Sequence, residues 1–257
     1  MEVVILCGGK GSRLSEETIN KPKPMVEIGG MPILWHIMNL YSFYGYKKFI
    51  LALGYKANYI KEYFYNLKNI SGDFKISLSN DSSPIFFNKI PQHEWEITFV
   101  DTGEETLKGA RIKKVEKYIE SENFLVTYGD GIGDIDISKL ISFHKSHNKV
   151  ATLTAVRPPS RFGELEINGT DIINFEEKPQ MHTGYINGGF FVFKKEIFNS
   201  LNDSDLCDLE FGTLQEISKK NELKAYIHDK FWQCMDNVRE RDFLDQLVKQ
   251  NKAPWIK

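Results

Sequence analysis

The chain has 257 residues, 41% hydrophobic and 26% charged, with a net charge of −2. That composition is ordinary for a soluble globular protein, and the length allows one large α/β domain or two small ones. Thirty-three basic residues against 35 acidic ones leave no net field for a nucleic-acid backbone, so nucleic acid is excluded as a general partner and any phosphate site has to be a local cluster. No run approaches the ~18 apolar residues of a membrane span. The 3 cysteines, Cys7, Cys207 and Cys234, lie far apart and form neither a zinc spacing nor a disulfide framework, which makes the cytoplasm the default location.

Val3 to Cys7 is a continuous apolar run, the mark of a strand covered on both faces. Gly8 to Leu14 reads as a loop. Lys21-Pro22-Lys23-Pro24 reads as non-helical chain, because each proline pushes its predecessor to extended geometry. A helix follows over Pro32 to Tyr44, with proline at its first position and Ile33, Ile37, Leu40 and Tyr41 on one face. Phe49 to Leu53, Lys75 to Leu78 and Glu96 to Val100 read as strands. Lys56 to Tyr65 and Arg111 to Ile119 read as helices. Phe124 to Thr127 is a strand running into Tyr128-Gly129-Asp130-Gly131. Ser138 caps a helix to about His147, and Ala151 to Val156 is a strand again. This alternation predicts an α/β fold with a doubly wound, mostly parallel mixed sheet. After Arg157 the rhythm changes. Leu165 to Ile167, Ile172 to Phe175 and Phe190 to Phe193 are closely spaced strands, and Phe211 to Asn221 and Val238 to Gln250 are late helices. No linker or repeat interrupts the chain, so the reading is one domain with a small C-terminal β/α elaboration.

Five constellations carry chemistry. The first is Leu6-Cys7-Gly8-Gly9-Lys10-Gly11-Ser12-Arg13-Leu14, directly after the first strand. Its glycines let backbone N–H groups approach phosphate oxygens, and Lys10 and Arg13 neutralise a polyphosphate, Arg13 with a forked geometry. Leu14 stands where a dinucleotide fingerprint needs glycine, and no P-loop ending is present. The second is Lys23, held between two prolines as a point charge for a phosphoryl group, although an exposed turn accounts for it equally well in isolation. The third is Gly129-Asp130-Gly131 at the C-terminal end of a central strand, where open α/β sheets bind ligands. Asp130 suits Mg²⁺ there, with a plain Asp-Gly turn as the alternative. The fourth is Glu176-Glu177-Lys178-Pro179 with Tyr185-Ile186-Asn187-Gly188-Gly189: Lys178 suits a phosphate and Glu177 and Asn187 suit sugar hydroxyls, or the segment is a charged turn. The fifth is Asp236, after the run Phe231 to Met235; it is a metal ligand or an N-cap for the helix from Val238. His144 and His147 read as packing or surface residues. The basic face around Lys113 reads as solvated, except for Arg111 after the Gly109-Ala110 turn.

Taken in order, these features resemble the sugar-1-phosphate nucleotidyltransferases, which carry a glycine-rich signature with an arginine, a lysine-proline segment, a Gly-Asp motif, a Glu-Lys-Pro motif and a late metal-binding aspartate. Over nearly the whole chain the sequence is similar to one bacterial branch of that family, which transfers a cytidylyl group to glucose 1-phosphate. The segments Ser15 to Gly30, Pro32 to Met38, Val100-Asp101-Thr102-Gly103, Thr127 to Gly131, Arg161-Phe162-Gly163, Ile186 to Phe191 and Lys252-Ala253-Pro254-Trp255 carry the likeness. Cys7 and Lys10 depart from the usual signature, and Tyr65 to Trp95 matches weakly.

The resemblance implies a Rossmann-like fold and the reaction of CTP with α-D-glucose 1-phosphate to give CDP-glucose and pyrophosphate, for deoxysugar or surface-polysaccharide synthesis. It implies that residues 1–156 form the nucleotide-binding part and 157–257 the sugar-phosphate and C-terminal part. Leu6, Cys7, Gly8, Gly9, Lys10, Gly11, Ser12, Arg13, Lys23, Arg111 and Gly129 would hold the nucleotide. Tyr128, Glu177, Lys178 and Asn187 would hold the sugar phosphate, and Asp130 and Asp236 would hold Mg²⁺. Arg13, Lys23 and Asp130 would be catalytic. The family also commonly forms homo-oligomers. Two rivals stand beside this reading: an enzyme of the same fold with another nucleotide or acceptor, and a non-catalytic regulatory subunit. The latter is expected to have lost Lys23, Asp130, Lys178 or Asp236, all of which are present.

Overall fold

A computed structural model describes residues 1–67, 72–77, 85–87, 94–158, 163–176 and 184–257. Val3–Cys7 form strand β1 with every side chain buried, as a run that is apolar on both faces requires. Six further strands complete its sheet: β2 (Lys48–Leu53), β3 (Glu96–Asp101), β4 (Asn123–Tyr128), β5 (Ala151–Val156), β6 (Ile186–Lys194) and β7 (Leu223–His228). Their order is β7-β5-β6-β4-β1-β2-β3. β1 pairs in parallel with β2 and β4, β2 with β3, and β5 with β7. β6 runs antiparallel to both β4 and β5. This is the mostly parallel mixed sheet predicted above.

Helices cover both faces. They are α1 (Ile33–Phe43), α2 (Ala57–Tyr65), α3 (Lys108–Lys114), α4 (Ile137–His147), α5 (Gln215–Lys219) and α6 (Val238–Lys249). Successive side chains of a strand point to opposite faces, and β1 divides accordingly. Val3, Ile5 and Cys7 pack with Ile33, Ile37, Tyr41, Ile60, Leu140 and Leu244 of α1, α2, α4 and α6. Val4 and Leu6 pack with Ala110, Ile112 and Ile217 of α3 and α5. No helix among the described residues is long and apolar enough to cross a membrane.

Several local expectations are corrected. The expected helix over 111–119 is α3 plus a separate 3-10 turn at Glu116–Tyr118. α3 starts early because its first N–H groups find partners far along the chain: Leu107 N donates to Asp205 O at 2.9 Å and Ala110 N to Cys207 O at 3.0 Å. α4 is capped by Asp136 and not Ser138, the Asp136 carboxylate accepting from Lys139 N at 3.0 Å. Lys23–Met25 close a 3-10 turn with Pro24 inside it, where an extended segment was expected. The expected helix over 211–221 opens as a π-type turn, Leu209–Leu214, before α5. In place of a strand over 75–78, Phe74–Lys75 pairs with Ile85–Phe86, and Leu78 lies outside the described residues. β7 was not foreseen, nor was the small antiparallel ribbon joining Gly131–Gly133 to Trp232–Cys234.

His144 of α4 is 1% exposed, between β4 and β5. Its Nε2 lies 3.1 Å from Asn123 Oδ1 and its Nδ1 2.8 Å from Thr152 Oγ1, an arrangement that a neutral imidazole satisfies. Burial pushes its pKa down to about 4, and burial also lowers that of His147 beside it. Between that value and the unfolded one near 6.5, the unfolded chain binds a proton that the folded chain does not. Stability is therefore full above about pH 6.5 and falls as the pH drops toward 4. Urea unfolding at pH 5 should return on the order of 2 kcal/mol less stability from this group than at pH 8, and His144→Gln should flatten that dependence.

Candidate active site

β1 and β4 are parallel neighbours, so their carboxyl ends open at one edge of the sheet. The chain leaves β1 toward β2 on one side while β4 lies on the other, which makes this edge a topological switch point. A cavity of about 350 Å³ lies there, lined by Leu6, Cys7, Gly8, Gly9, Gly11, Ser12, Arg13, Lys23, Thr106, Arg111, Gly129 and Asp130 among others. A second cavity of about 770 Å³ is lined by Ile186, Asn187, Trp232, Gln233, Asp236, Arg239 and Phe243 among others. Arg13, Lys108, Tyr128 and Asp130 line both, so the two are halves of one cleft.

The glycine loop is shaped by what presses on it. A Cβ at Gly8 would lie 2.0 Å from Nη1 of Arg111, and Gly11 holds a left-handed φ of +63° with Lys23 Cβ 3.0 Å from where its own Cβ would be. Arg111 comes from α3 and is buried. Its guanidinium donates to Leu53 O (3.0 Å), Thr102 Oγ1 (2.6 Å), Gly103 O (2.7 Å), Gly8 O (3.1 Å) and Glu104 O (3.1 Å). It thus ties the loop after β1 to the end of β2 and the turn after β3. Sequence reasoning placed Arg111 beside a nucleotide. The structure places it under the loop, lining the cavity with its donors directed at four backbone oxygens and the Thr102 hydroxyl. Lys10 does not line the cavity; its Nζ pairs with Glu105 at 2.5 Å, both side chains being exposed.

At the junction of the two halves stands Lys23, buried at 8% exposure. Its Nζ lies 2.7 Å from Asp130 Oδ2 and 2.6 Å from Asp236 Oδ1, and Arg13 Nη1 lies 2.7 Å from Asp236 Oδ2. Burial alone would push the lysine's pKa down, but the Asp130 and Asp236 carboxylates outweigh it and hold the ammonium above its ordinary value. The two acids meet because of strand register. In the small ribbon Cys234 pairs with Gly131, and Met235 N donates to Asp130 O at 2.9 Å, which sets Asp236 beside Asp130.

The Lys23 ammonium draws the two acids together, so their convergence does not by itself require a shared metal ion. The alternative of Asp236 as a helix cap is corrected. Asn237 caps α6, accepting from Glu240 N at 3.0 Å, while the Glu240 carboxylate takes Asp236 N at 2.6 Å. Two carboxylates within reach of one small cation are a donor set that fits a hard divalent ion. Cys234, Asp236 and Glu240 also bring one donor atom each within 4.8 Å, with the Glu240 carboxylate already accepting from Asp236 N.

In the larger half, Asn187 Nδ2 donates to Tyr128 Oη at 3.0 Å, and the Tyr128 hydroxyl donates to Glu210 Oε1 at 2.6 Å. Burial first, then the Glu210 charge, raises the Tyr128 pKa, so the phenol keeps its proton. Trp232 Nε1 donates to Gly188 O at 2.8 Å. Glu177 and Lys178, like Arg161 and Phe162, lie outside the described residues. Sequence reasoning missed Thr106, Lys108, Glu210, Trp232 and Phe243. Lys108 sits beside the Gly109-Ala110 pair that marked Arg111 in the sequence, expected as a turn and found within α3, whereas nothing local marks Glu210.

Comparison with known proteins bears on this geometry. Residues 2–237 match the family model described as nucleotidyl transferase. The chain is 46% identical over 256 residues to a glucose-1-phosphate cytidylyltransferase of Salmonella typhimurium, covering 99% of this chain and 98% of that one. It is 42% identical over 258 residues to a probable glucose-1-phosphate cytidylyltransferase of Bacillus subtilis, covering 99% of each. Among solved structures, HddC from Yersinia pseudotuberculosis complexed with GMP-PN superposes with a TM-score of 0.68 at 27% identity, covering 96% of this chain and 99% of that one.

The two arginines of the cleft separate under conservative substitution. Arg111→Lys cannot reproduce a planar fork on five oxygens and should lower unfolding stability by about 2–4 kcal/mol in a denaturant titration. Arg13, with a side chain 75% exposed, should tolerate Arg13→Lys within about 1 kcal/mol.

Proposed function

The chain belongs to the nucleotidyl transferase family, and we propose that it transfers a cytidylyl group from CTP to α-D-glucose 1-phosphate, giving CDP-glucose and pyrophosphate. The names of the cytidylyltransferases it matches over nearly its full length support the substrates. The observation that carries the reaction is the junction itself: Lys23, Asp130, Asp236 and Arg13 meet where a glycine-lined cavity opens into a larger one. A reaction between two bound phosphates needs charge concentrated at that point. No side chain need form a covalent intermediate, because such transfer is positioning plus charge neutralisation.

In this reading the nucleotide lies in the smaller half, its phosphates against the backbone of Gly8 to Ser12, with Arg13 and Lys23 as cations and Arg111 holding the loop rigid. The sugar phosphate lies in the larger half against Tyr128 and Asn187, with Glu177 and Lys178 completing that side. A phosphate oxygen of the acceptor attacks the α-phosphorus in line, and pyrophosphate leaves. Asp130 and Asp236 would hold Mg²⁺, which when bound would supply further charge neutralisation for the phosphates. The retention of Lys23, Asp130 and Asp236 argues against a regulatory subunit. Exposed Leu165, Ile167, Ile172, Ile173 and Phe175 on one two-stranded ribbon suit contact with a second copy of the chain, in keeping with a homo-oligomer.

Pyrophosphate release should be measured with CTP, UTP, dTTP and GTP against several sugar 1-phosphates. CTP with glucose 1-phosphate should turn over fastest; faster turnover with dTTP or GTP would replace the cytidylyl assignment by a related one. Activity should vanish with EDTA and return with Mg²⁺. Asp236→Asn leaves Asn237 as the cap of α6 and an amide oxygen for the Lys23 ammonium, which Asp130 still balances, so the variant should fold with a lowered melting temperature while turnover falls by about 10²-fold or more.

A further inference from the structure

Glu210 reaches the cleft from an irregular piece of backbone. It is the second residue of the π-type turn Leu209–Leu214 that precedes α5. Such turns sacrifice helix regularity and collect at functional sites. The Glu210 carboxylate accepts the Tyr128 hydroxyl at 2.6 Å and pairs with the Lys108 ammonium, which lies 4.6 Å from the centre of the Tyr128 ring. Tyr128 Oη accepts in turn from Asn187 Nδ2 at 3.0 Å, and Asn187 Oδ1 accepts from Gly189 N at 2.9 Å.

The direction of this chain follows from proton counting. A phenol has one proton to donate. With that proton directed at the Glu210 carboxylate, Tyr128 Oη acts toward Asn187 as an acceptor, which holds the amide nitrogen toward Tyr128. The amide oxygen is taken by Gly189, so one amide hydrogen of Asn187 is left for a ligand in the cavity that Asn187 lines. Lys108 balances the Glu210 charge. Without that balance a carboxylate here would repel the phosphate of an acceptor in the same cleft.

We propose that Glu210 is a positioning residue for the acceptor: through Tyr128 it fixes the Asn187 amide that donates to a hydroxyl of the bound sugar phosphate. This assignment rests on the transferase reading above. It bears on the acceptor before the nucleotide, because Asn187, the group that meets the ligand, lines only the larger half, whereas Tyr128 and Lys108 line both.

The test is steady-state kinetics with glucose 1-phosphate and CTP varied separately, beside calorimetric titration of glucose 1-phosphate into the protein. Glu210→Ala should raise the KM and the Kd for glucose 1-phosphate about tenfold, the upper worth of one neutral hydrogen bond, and leave the KM for CTP within about twofold. Glu210→Gln, which keeps an oxygen for the Tyr128 hydroxyl, should recover most of that loss. Tyr128→Phe keeps the ring and should reproduce Glu210→Ala, and the double variant should be little worse than either single one, as members of one chain of bonds behave. Should Glu210→Ala not fold, Tyr128→Phe carries the same test. An unchanged KM for glucose 1-phosphate, or an equal rise for both substrates, overturns the positioning role and leaves the transferase reading standing. A wild-type protein that neither binds nor turns over a sugar 1-phosphate overturns both.

Discussion

The buried ammonium of Lys23 between Asp130 and Asp236 is the interaction on which the cleft depends. Three segments far apart in sequence meet there: the 3-10 turn Lys23–Met25, the loop after β4 and the segment after the Trp232–Cys234 strand. Two bare carboxylates 4 Å apart would repel by about 4 kcal/mol at an effective dielectric near 20, and a cation between them reverses the sign. Removing the lysine would leave that repulsion uncompensated in a partly buried place. The same arrangement concentrates charge where two bound phosphates have to react, so the interaction that organises the cleft is also the one that suits it to transfer.

Arg111 complements Lys23 by a different use of positive charge. Lys23 meets carboxylates at a point, whereas the Arg111 fork binds four backbone carbonyls and one hydroxyl across three loops. The glycine loop is therefore held from below by a buried guanidinium, and its upper surface faces the cavity. The two halves of the cleft differ in character. The nucleotide side is glycine and backbone at the ends of sheet strands, a surface suited to phosphates. The other side adds Trp232, Phe243 and Ile186, apolar faces against which the carbon skeleton of a sugar can lie, with Tyr128 and Asn187 supplying directional polar groups.

Much of the fold is legible in the sequence because it rests on local regularities. Val3–Cys7 is apolar throughout and lies inside a sheet covered on both faces; α1 follows the spacing of Ile33, Ile37 and Tyr41; β4 ends where the Gly129-Asp130 turn says it should. β7 was not legible, since Leu223–His228 is a partly exposed edge strand of mixed character, recognisable only once β5 supplies its partner. The early start of α3 was not legible either, because the acceptors of its first N–H groups come from Asp205 and Cys207.

The candidate site divides in the same way. Sequence by itself determined which residue types were present and in what local frame: glycines after β1, a lysine between prolines, an aspartate between glycines, a late aspartate after an apolar run. Those frames follow from steric rules that act over a few residues. Only the tertiary structure decided that Lys23 lies between the two aspartates, that Arg111 braces the loop from beneath, and that Glu210 joins Tyr128 and Asn187. Each of these depends on register and packing between segments tens to hundreds of residues apart, and no local preference of the chain encodes a partner at that distance.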